Sequence, residues 1–255
     1  MADGMVHTFD NGIQVYKEHL IPEQLERYRI YNLHEPVEEG VFADILQADG
    51  ASGTAFIDIG AAIGYYSILA RQLQDNLIIH AFEPLERHRT YFEDNMRLNG
   101  IDSGNITIHA DAISDAVGKQ YFADYHYGST LSKVKQVSMR SRFKRRVQHL
   151  LGLKTKKPAL KQVNTITLDS FIDSLKQPVH LVKMDVQGFE LDVLAGAEAS
   201  LQSKAVHHWI VGTHSPEIHA RCIQLFKQHK YHIIYDEQQV DHQPDGLVVA
   251  RATIP

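Results

Sequence analysis

The chain has 255 residues, 44% of them hydrophobic, and a formal net charge of -5 from 26 basic and 31 acidic residues. This length allows one large α/β domain or two small ones, with a core that needs no disulfide or metal ion. The composition argues against a disordered, fibrous or membrane-spanning chain. The single cysteine, Cys222, excludes an intramolecular disulfide and a four-thiolate zinc site.

Targeting signals are not evident in the sequence. The first ten residues contain no basic segment followed by an apolar run, and no uninterrupted apolar stretch reaches about 18 residues. We therefore expect a cytoplasmic protein without a signal peptide or a transmembrane helix.

Residues 1–50 are predicted to form a short N-terminal cap with helices near Pro22 and Pro36. Residues 51–255 alternate short apolar strands with helices, which predicts a doubly wound, mostly parallel α/β sheet with helices on both faces and an antiparallel closing strand. The predicted strands cover 55–59, 77–82, 106–109, 164–168, 179–184, 209–211, 232–235 and 247–251. The predicted helices run through 66–73, end near Leu98, and cover 191–197 and 216–230.

A glycine-containing turn, GAAIG, follows the first strand of this sheet directly after Asp58 and Ile59. Glycine lets the backbone approach a ligand, and the start of the next helix supplies free N–H groups. A dinucleotide fingerprint would need glycine at the first, third and sixth positions, and Asp58 is unfavourable beside a pyrophosphate. The turn instead suits a ligand with an amine and a carboxylate, so we assign Gly60, Ala61, Gly64 and Tyr65 to its binding along with Asp58.

Two more strand ends offer polar groups at the same edge. Glu83, followed by Pro84, ends the second strand, where a carboxylate can accept both hydroxyls of a ribose. Asp111 and Ala112 follow the third strand and suit an adenine amino group. Sites for an amino acid, a ribose and a base together describe S-adenosylmethionine. The alternative is that Asp58 caps a helix and Glu83 is a solvated turn residue.

A basic insertion at about 126–163 separates the third and fourth strand units. No Asp or Glu occurs in 125–168, which holds 11 of the 26 basic residues, so the remainder has 15 basic against 31 acidic residues. Apolar residues recur there at helical spacing, which predicts an amphipathic basic helix that packs as a lid, binds a phosphorylated acceptor or contacts an anionic membrane. The acidic remainder disfavours nucleic acid. We assign Ser129 and Lys133 to acceptor binding.

The reacting groups are expected where the next two strands end. If a hydroxyl accepts the methyl group of S-adenosylmethionine, as the family resemblance given below implies, it must be positioned and must lose its proton. A neutral imidazole suits the second task. We predict His214 as the base and Asp185 as the group that orients it or the acceptor. Lys183 neutralises Asp185, binds substrate or packs its stem along the strand, and Gln187 is assigned to the acceptor.

A divalent metal at Asp185 and His214 is the alternative, because such an ion would acidify a sugar diol. Since these two residues are the only plausible ligands that the sequence offers there, a metal-free site is favoured.

The sequence also resembles the FkbM family of S-adenosylmethionine-dependent methyltransferases. The resemblance covers roughly 50–250 and is carried by FIDIGAAIGYYS (56–67), AFEP (81–84), NMRLNG (95–100), ADAISD (110–115), GSTLS (128–132), TLDSFI (167–172) and VKMDVQGFELDVLAGA (182–197). It implies a class I methyltransferase fold and methylation of a hydroxyl on a sugar, polyketide or related metabolite. Ala62 stands where the family commonly has Asn, and Gln187 where Glu is common.

We therefore expect an S-adenosylmethionine-dependent O-methyltransferase that acts on a sugar hydroxyl in a glycan, a nucleotide- or lipid-linked sugar or a glycosylated metabolite. One alternative is an inactive cofactor-binding protein that docks on a membrane or a partner through its basic helix. Another is an NAD-dependent nucleotide-sugar oxidoreductase.

Overall fold

The computed structural model describes residues 5–48, 50–102, 104, 106–124, 130–132, 159–241, 243 and 245–253. The predicted basic helix, Ser129 and Lys133 lie outside these residues. Among the helices described, none is both long and apolar enough to cross a bilayer.

A seven-stranded sheet forms the centre of the fold. Its strands are β3 (Ala55–Ile59), β4 (Ile78–Phe82), β5 (Ile106–His109), β10 (Val179–Met184), β11 (Val206–Thr213), β12 (Tyr231–Glu237) and β13 (Gly246–Ala252). Their order is β12-β13-β11-β10-β3-β4-β5. The other six strands of this sheet share one direction and β13 runs in the opposite one, which confirms the predicted antiparallel closing strand.

Eight α-helices are described. They are α1 (Pro22–Tyr28), α2 (Pro36–Gln47), α3 (Tyr65–Leu73), α4 (Glu86–Leu98), α5 (Leu168–Ile172), α6 (Glu190–Ala195), α7 (Glu198–Ser203) and α8 (Pro216–Gln228). Pro22 and Pro36 occupy first-turn positions of α1 and α2, where the missing N–H of proline costs no hydrogen bond. The helix signals in the N-terminal segment were therefore interpreted correctly.

Both faces of the sheet are buried. Phe56 belongs to one apolar cluster and the next residue, Ile57, to the other; Leu181 and Val182 divide in the same way. Successive side chains of a strand point to opposite faces, so helices pack on both sides, as the continuous apolar strands predicted.

The N-terminal segment shares this core. It begins with a hairpin of β1 (Val6–Thr8) and β2 (Gln14–Tyr16). Phe9, Phe42 and Leu46 are buried in the same cluster as Phe56. These apolar contacts hold the segment along the sheet.

A second, four-stranded sheet flanks the insertion. It contains β6 (Ala112–Ile113), β7 (Gly118–Asp124), β8 (Thr130–Ser132) and β9 (Ala159–Ile166), in the order β6-β9-β7-β8. Strand β9 therefore begins before the predicted strand at 164–168. It also ends before it, because Thr167 caps α5 by accepting a hydrogen bond from the Ser170 N–H. The predicted 191–197 helix corresponds to α6, which ends at Ala195 with Gly196 as its C-cap, and the separate short helix α7 that follows was not predicted.

Gly64 is required where the first crossover helix begins. Its φ is +84°, and a Cβ placed on it would lie 2.0 Å from the ring of Phe92. We expect Gly64→Ala to lower the free energy of unfolding by about 3 kcal/mol or more, and Tm by about 10 °C, because backbone strain and overpacking add.

Gly12→Ala is the matched control, since Gly12 has φ +86° and nothing within 4 Å of the added carbon. Gly12→Ala should lower the free energy of unfolding by only about 1–2 kcal/mol, through backbone strain alone. Equal losses in calorimetric unfolding would contradict the packing argument.

Candidate active site

A cavity of about 410 Å³ opens at the carboxyl edge of the sheet. Its walls come from the turn after β3, the ends of β4 and β10, the second sheet and the N-terminal segment, with Arg27 and Glu35 contributed by the last. This volume is typical of sites for small molecules.

The turn after β3 is pressed against the end of β10. Gly60 has φ +82°, and a Cβ there would lie 2.1 Å from the carbonyl oxygen of Asp185. No other residue fits this close approach, which joins the two strand ends that carry Asp58 and Asp185.

The N–H groups of this turn are largely used within the protein. Those of Gly60 and Ala61 donate to the Phe82 carbonyl, and that of Ala62 donates to Glu83 Oε2 at 3.0 Å. The sequence predicts that these backbone N–H groups bind the carboxylate of a ligand. In the structure they mainly stabilise the turn.

Glu83 is buried rather than solvated, with 4% of its surface exposed. Its second oxygen accepts a hydrogen bond from the Leu85 N–H at 2.8 Å, so the carboxylate bridges the turn and the start of α4. Glu83, Pro84 and Ala112 line the cavity, but Asp111 does not.

Asp58 faces a buried ammonium group. Its neighbour in the register of β3 and β10 is Lys183, and its Oδ2 accepts a hydrogen bond from Ser67 Oγ at 2.7 Å. Burial raises the pKa of Asp58. The hydroxyl of Ser67 comes from α3, so Asp58 does not cap that helix through the backbone.

Lys183 joins the sheet to the N-terminal segment. Its Nζ lies 3.0 Å from Glu38 Oε1 on α2 and 4.2 Å from the centre of the Tyr66 ring. Burial alone would lower its pKa, but the charges of Glu38 and Asp185 raise it above the usual value. Lys183 is therefore a charged residue at the wall of the cavity, and its direct ion-pair partner is Glu38 rather than the predicted Asp185.

His214 is surrounded by three carboxylates. Its Nδ1 donates a hydrogen bond to Glu190 Oε1 at 2.5 Å, and its Nε2 lies 3.3 Å from both Asp185 Oδ1 and Asp245 Oδ1. Glu190 is fully buried. Asp185 and Asp245 line the cavity, while His214 lies behind them.

These neighbours set the protonation of the cluster. Burial alone would lower the pKa of His214, but its ion pair with Asp185 and its hydrogen bond to Glu190 raise it to about 11. Burial raises the pKa of Asp245 to about 7, and the charge of Asp185 adds to this rise. Burial also favours the acid form of Asp185, yet its ion pair with His214 and the charge of Lys183 hold its pKa below the usual value. The neutral imidazole expected from the sequence is thus a cation in the structure.

The cluster also meets the distance requirement of a cation site. Asp185, His214 and Asp245 each place one donor atom within 4.8 Å of the others. The ion pairs with His214 account for this arrangement without a metal ion.

The structure brings most of the predicted site residues together. The predicted residues that line the cavity are Asp58, Gly60, Ala61, Tyr65, Glu83, Pro84, Ala112, Lys183, Asp185 and Gln187. Gly64 lies behind the turn against Phe92.

Sequence reasoning missed the contributions of distant segments. The missed residues of the site are Arg27, His34, Glu35, Glu38, Tyr66, Glu190 and Asp245. Glu35, Glu38 and Glu39 share one face of a helix by their spacing, and this acidic stripe was a signal that could have been used.

Comparison with known proteins gives a consistent result. The model of the methyltransferase FkbM domain matches residues 58–233. The chain belongs to this family.

Relatives are distant. The chain is 26% identical over 216 residues to methyltransferase sdnD of Sordaria araneosa, covering 78% of this chain and 82% of that protein. The crystal structure of an FkbM methyltransferase from Methylobacillus flagellatus KT matches with a TM-score of 0.52 and 12% identity, over 90% of this chain and 54% of that one. The chain thus spans about half of that structure.

The fold is that of class I methyltransferases. Magnesium protoporphyrin IX methyltransferase (ChlM) from Synechocystis PCC 6803, solved with bound S-adenosylmethionine, matches with a TM-score of 0.52 and 10% identity, over 92% of this chain and 86% of that one. This likeness concerns the fold alone.

Both departures from the family pattern fall on left-handed backbone. Ala62 has φ +46° and Gln187 has φ +53°. Asn tolerates this conformation better than Ala, which gives a physical reason for Asn at the first position. Gln187 donates from Nε2 to Asp185 Oδ1 at 3.2 Å, so it supports the charged form of that carboxylate.

We expect the ring of His214 to stay protonated throughout the neutral range. In NMR titration its ring ¹⁵N signals, assigned by their loss in His214→Gln, should keep the shifts of a protonated imidazole between about pH 5 and 9, because the raised pKa lies above this window. Only a small displacement near pH 7 should accompany the titration of the adjacent Asp245. Glu190→Gln should lower the midpoint into or toward that window. A wild-type midpoint near the ordinary value of about 6.5 would contradict this assignment.

Proposed function

We propose that this member of the FkbM family is an S-adenosylmethionine-dependent O-methyltransferase that acts on a sugar hydroxyl. The observation that carries the proposal is a pair of carboxylates, Asp185 and Asp245, that line the cavity and both lie 3.3 Å from His214 Nε2 behind them. Burial and the charge of Asp185 raise the pKa of Asp245 to about 7. A general base is most effective when its pKa lies near the working pH.

The charges of the cavity fit the proposed cofactor. Its lining contains six carboxylate residues, namely Glu23, Glu35, Asp58, Glu83, Asp185 and Asp245, and two basic residues, Arg27 and Lys183. An acidic cavity favours the sulfonium and amine charges of S-adenosylmethionine.

Arg27 fits the opposite end of that cofactor. Its Nε is buried and has no hydrogen-bond partner among the described residues, and the side chain lines the cavity. A guanidinium group is a strong partner for a carboxylate. We therefore assign the methionine carboxylate to Arg27 rather than to the turn N–H groups.

The protein supplies position and a proton acceptor. When bound, the cofactor supplies a methyl group that is transferred to the acceptor oxygen, while the electron pair of the broken C–S bond stays on sulfur. The carboxylate of Asp245 takes the hydroxyl proton. Asp185 orients the hydroxyl, and His214 holds both carboxylates in place from behind.

This assignment moves the base from His214 to Asp245. A protonated imidazole cannot accept a proton, and His214 does not line the cavity. His214 becomes a positioning residue. A divalent cation at Asp185 and His214 is the alternative, and in that case chelation would abolish turnover.

The sugar acceptor rests on the resemblance of the motifs to a family associated with such hydroxyls. A phosphorylated or lipid-linked acceptor would be attracted by the basic insertion, whose eleven Lys and Arg residues are mainly outside the described part of the chain. Membrane contact and the cytoplasmic location remain part of this proposal. The family assignment gives no support to an NAD-dependent oxidoreductase.

Arg27→Gln should weaken binding of S-adenosylhomocysteine, the demethylated product, by about tenfold to a hundredfold, because a charge-assisted hydrogen bond is lost. Isothermal titration calorimetry measures this. Arg29→Gln is the control, since Arg29 pairs with Glu26 on the exposed surface. Equal affinities of Arg27→Gln and wild type would contradict the assignment, and no binding by wild type would overturn the proposed function.

Asp245→Asn should lower kcat by about 10²- to 10⁴-fold and leave the affinity for S-adenosylhomocysteine nearly unchanged, because the base is removed and the cofactor contacts stay. The wild-type kcat/KM should rise with pH through about 7 as Asp245 loses its proton. The assay is a mass-spectrometric screen for methylated sugars, nucleotide sugars and glycosides.

Asp241→Asn serves as control for that experiment, because Asp241 is exposed near the same loop. A wild-type protein that binds cofactor and methylates no acceptor would support the inactive alternative. Activity that is lost with EDTA and restored by a divalent ion would favour the metal-assisted mechanism.

A further inference from the structure

Three histidines meet at the edge of the sheet opposite the active site. His180 lies at the start of β10, and His207 and His208 lie at the start of β11. Asp185 follows β10 and lies five positions after His180, or roughly 16 Å away at 3.3 Å per residue. This cluster is therefore distinct from the site described above.

The donor atoms of the cluster are close together. One ring nitrogen from each histidine lies within 4.8 Å of the others, and the rings of His207 and His208 have centroids 4.3 Å apart. Donors around a tetrahedral zinc ion at 2.0–2.1 Å are about 3.4 Å apart. Zinc binding therefore requires the three nitrogens to close from separations of up to 4.8 Å to that distance.

Hydrogen bonds leave lone pairs available in the cluster. His180 Nε2 lies 3.2 Å from the Ile45 carbonyl oxygen, which only accepts, so Nε2 carries the proton and Nδ1 has the lone pair. The ring of His208 hydrogen-bonds to the backbone of His180. Its Nδ1 is buried and has no hydrogen-bond partner in the part of the chain that the structure describes.

Leaving Nδ1 of His208 buried without a hydrogen-bond partner is energetically unfavourable. His208 is 7% exposed and His180 is 5% exposed, and a buried polar atom without a partner is unfavourable by about 1–3 kcal/mol. A metal ion would satisfy it. The backbone partners of the other ring nitrogens resemble the outer contacts that orient metal-bound histidines.

The imidazoles are in the form that binds metals. Burial lowers the pKa of His180 and of His207, and it lowers that of His208 to about 3. Neutral imidazole is the ligand form. A cavity of about 550 Å³, lined also by His232 and Arg251, gives access to the cluster.

Arg251 opposes a cation. It lies at the same cavity and contributes to the lowered pKa values of His207 and His208. The three nitrogen donors must outweigh this repulsion, and Arg251 should draw an anion or hydroxide to the fourth position of the ion.

We propose that His180, His207 and His208 bind one zinc-class divalent transition-metal ion at the amino edge of the sheet. Three histidines with an open fourth position are a recurring zinc donor set. The bound ion ties β10 to β11 and, through the Ile45 carbonyl, to α2. Since α2 carries Glu38, the ion stabilises the helix that holds Lys183 at the opposite edge.

The test is calorimetric titration of the metal-free full chain with ZnCl₂, together with thermal unfolding. We expect one site per chain with Kd on the order of 1 μM and a rise in Tm on saturation. His208→Ala should weaken this binding at least a hundredfold. Co²⁺ should give the visible absorption bands of four-coordinate cobalt in wild type and not in His208→Ala.

Three further variants test whether zinc binds at the histidine cluster rather than elsewhere on the chain. His232→Ala should bind as wild type, because His232 lines the cavity but is not in the cluster. Arg251→Gln should bind zinc several-fold more tightly, since a repelling charge is removed. Asp245→Asn should also bind as wild type, which separates this ion from any cation at the active site.

An unchanged far-ultraviolet circular dichroism spectrum and cooperative thermal unfolding in the absence of zinc report that each variant is folded. If His208→Ala fails this check, the half-buried His207→Ala replaces it. No saturable zinc site in wild type, or zinc binding that survives loss of a cluster histidine in a folded variant, would overturn the proposal. Neither outcome depends on methyl transfer.

Discussion

The arrangement of the active site depends on one buried ammonium group. Lys183 lies beside Asp58 in the sheet, forms a 3.0 Å ion pair with Glu38 of α2 and stands over the ring of Tyr66 of α3. A buried charge is tolerated when it is paired and hydrogen-bonded. The pairing of Lys183 therefore specifies where the N-terminal segment meets the sheet, and with it one wall of the cavity.

The wider charge distribution follows from the same constraint. Glu35, Glu38, Asp58, Glu83 and Glu190 are all buried. Two positive groups pair with members of this set: the buried Lys183 with Glu38, and the partly buried, protonated His214 with Glu190. The buried carboxylates thus outnumber the positive groups, and hydrogen bonds stabilise some of them. Tyr66 Oη, for example, donates to Glu35 Oε2 at 2.9 Å. A cationic ligand would compensate the rest, so the acidic lining is a property of the binding site rather than of the surface.

Particular elements show how far sequence reasoning reaches. The turn at Gly60, the strand end at Glu83 and the pair Lys183 and Asp185 were predictable, because residues just after parallel strands share one edge of the sheet. Arg27 and Asp245 were not, because they lie far from these motifs along the chain. His214 was placed correctly near Asp185, yet its protonation was misjudged, since that depends on Glu190 and Asp245.

The sequence by itself determined the family, the alternating α/β order and the edge of the sheet where the chemistry lies. These follow from local periodicity and from short motifs whose residues are neighbours in the chain. The tertiary structure alone decided that the N-terminal segment closes the cavity, that Asp245 rather than His214 faces it, and that three histidines meet at the opposite edge. The physical reason is that burial and electrostatic coupling depend on distances between segments remote in the chain, and such distances exist only after folding.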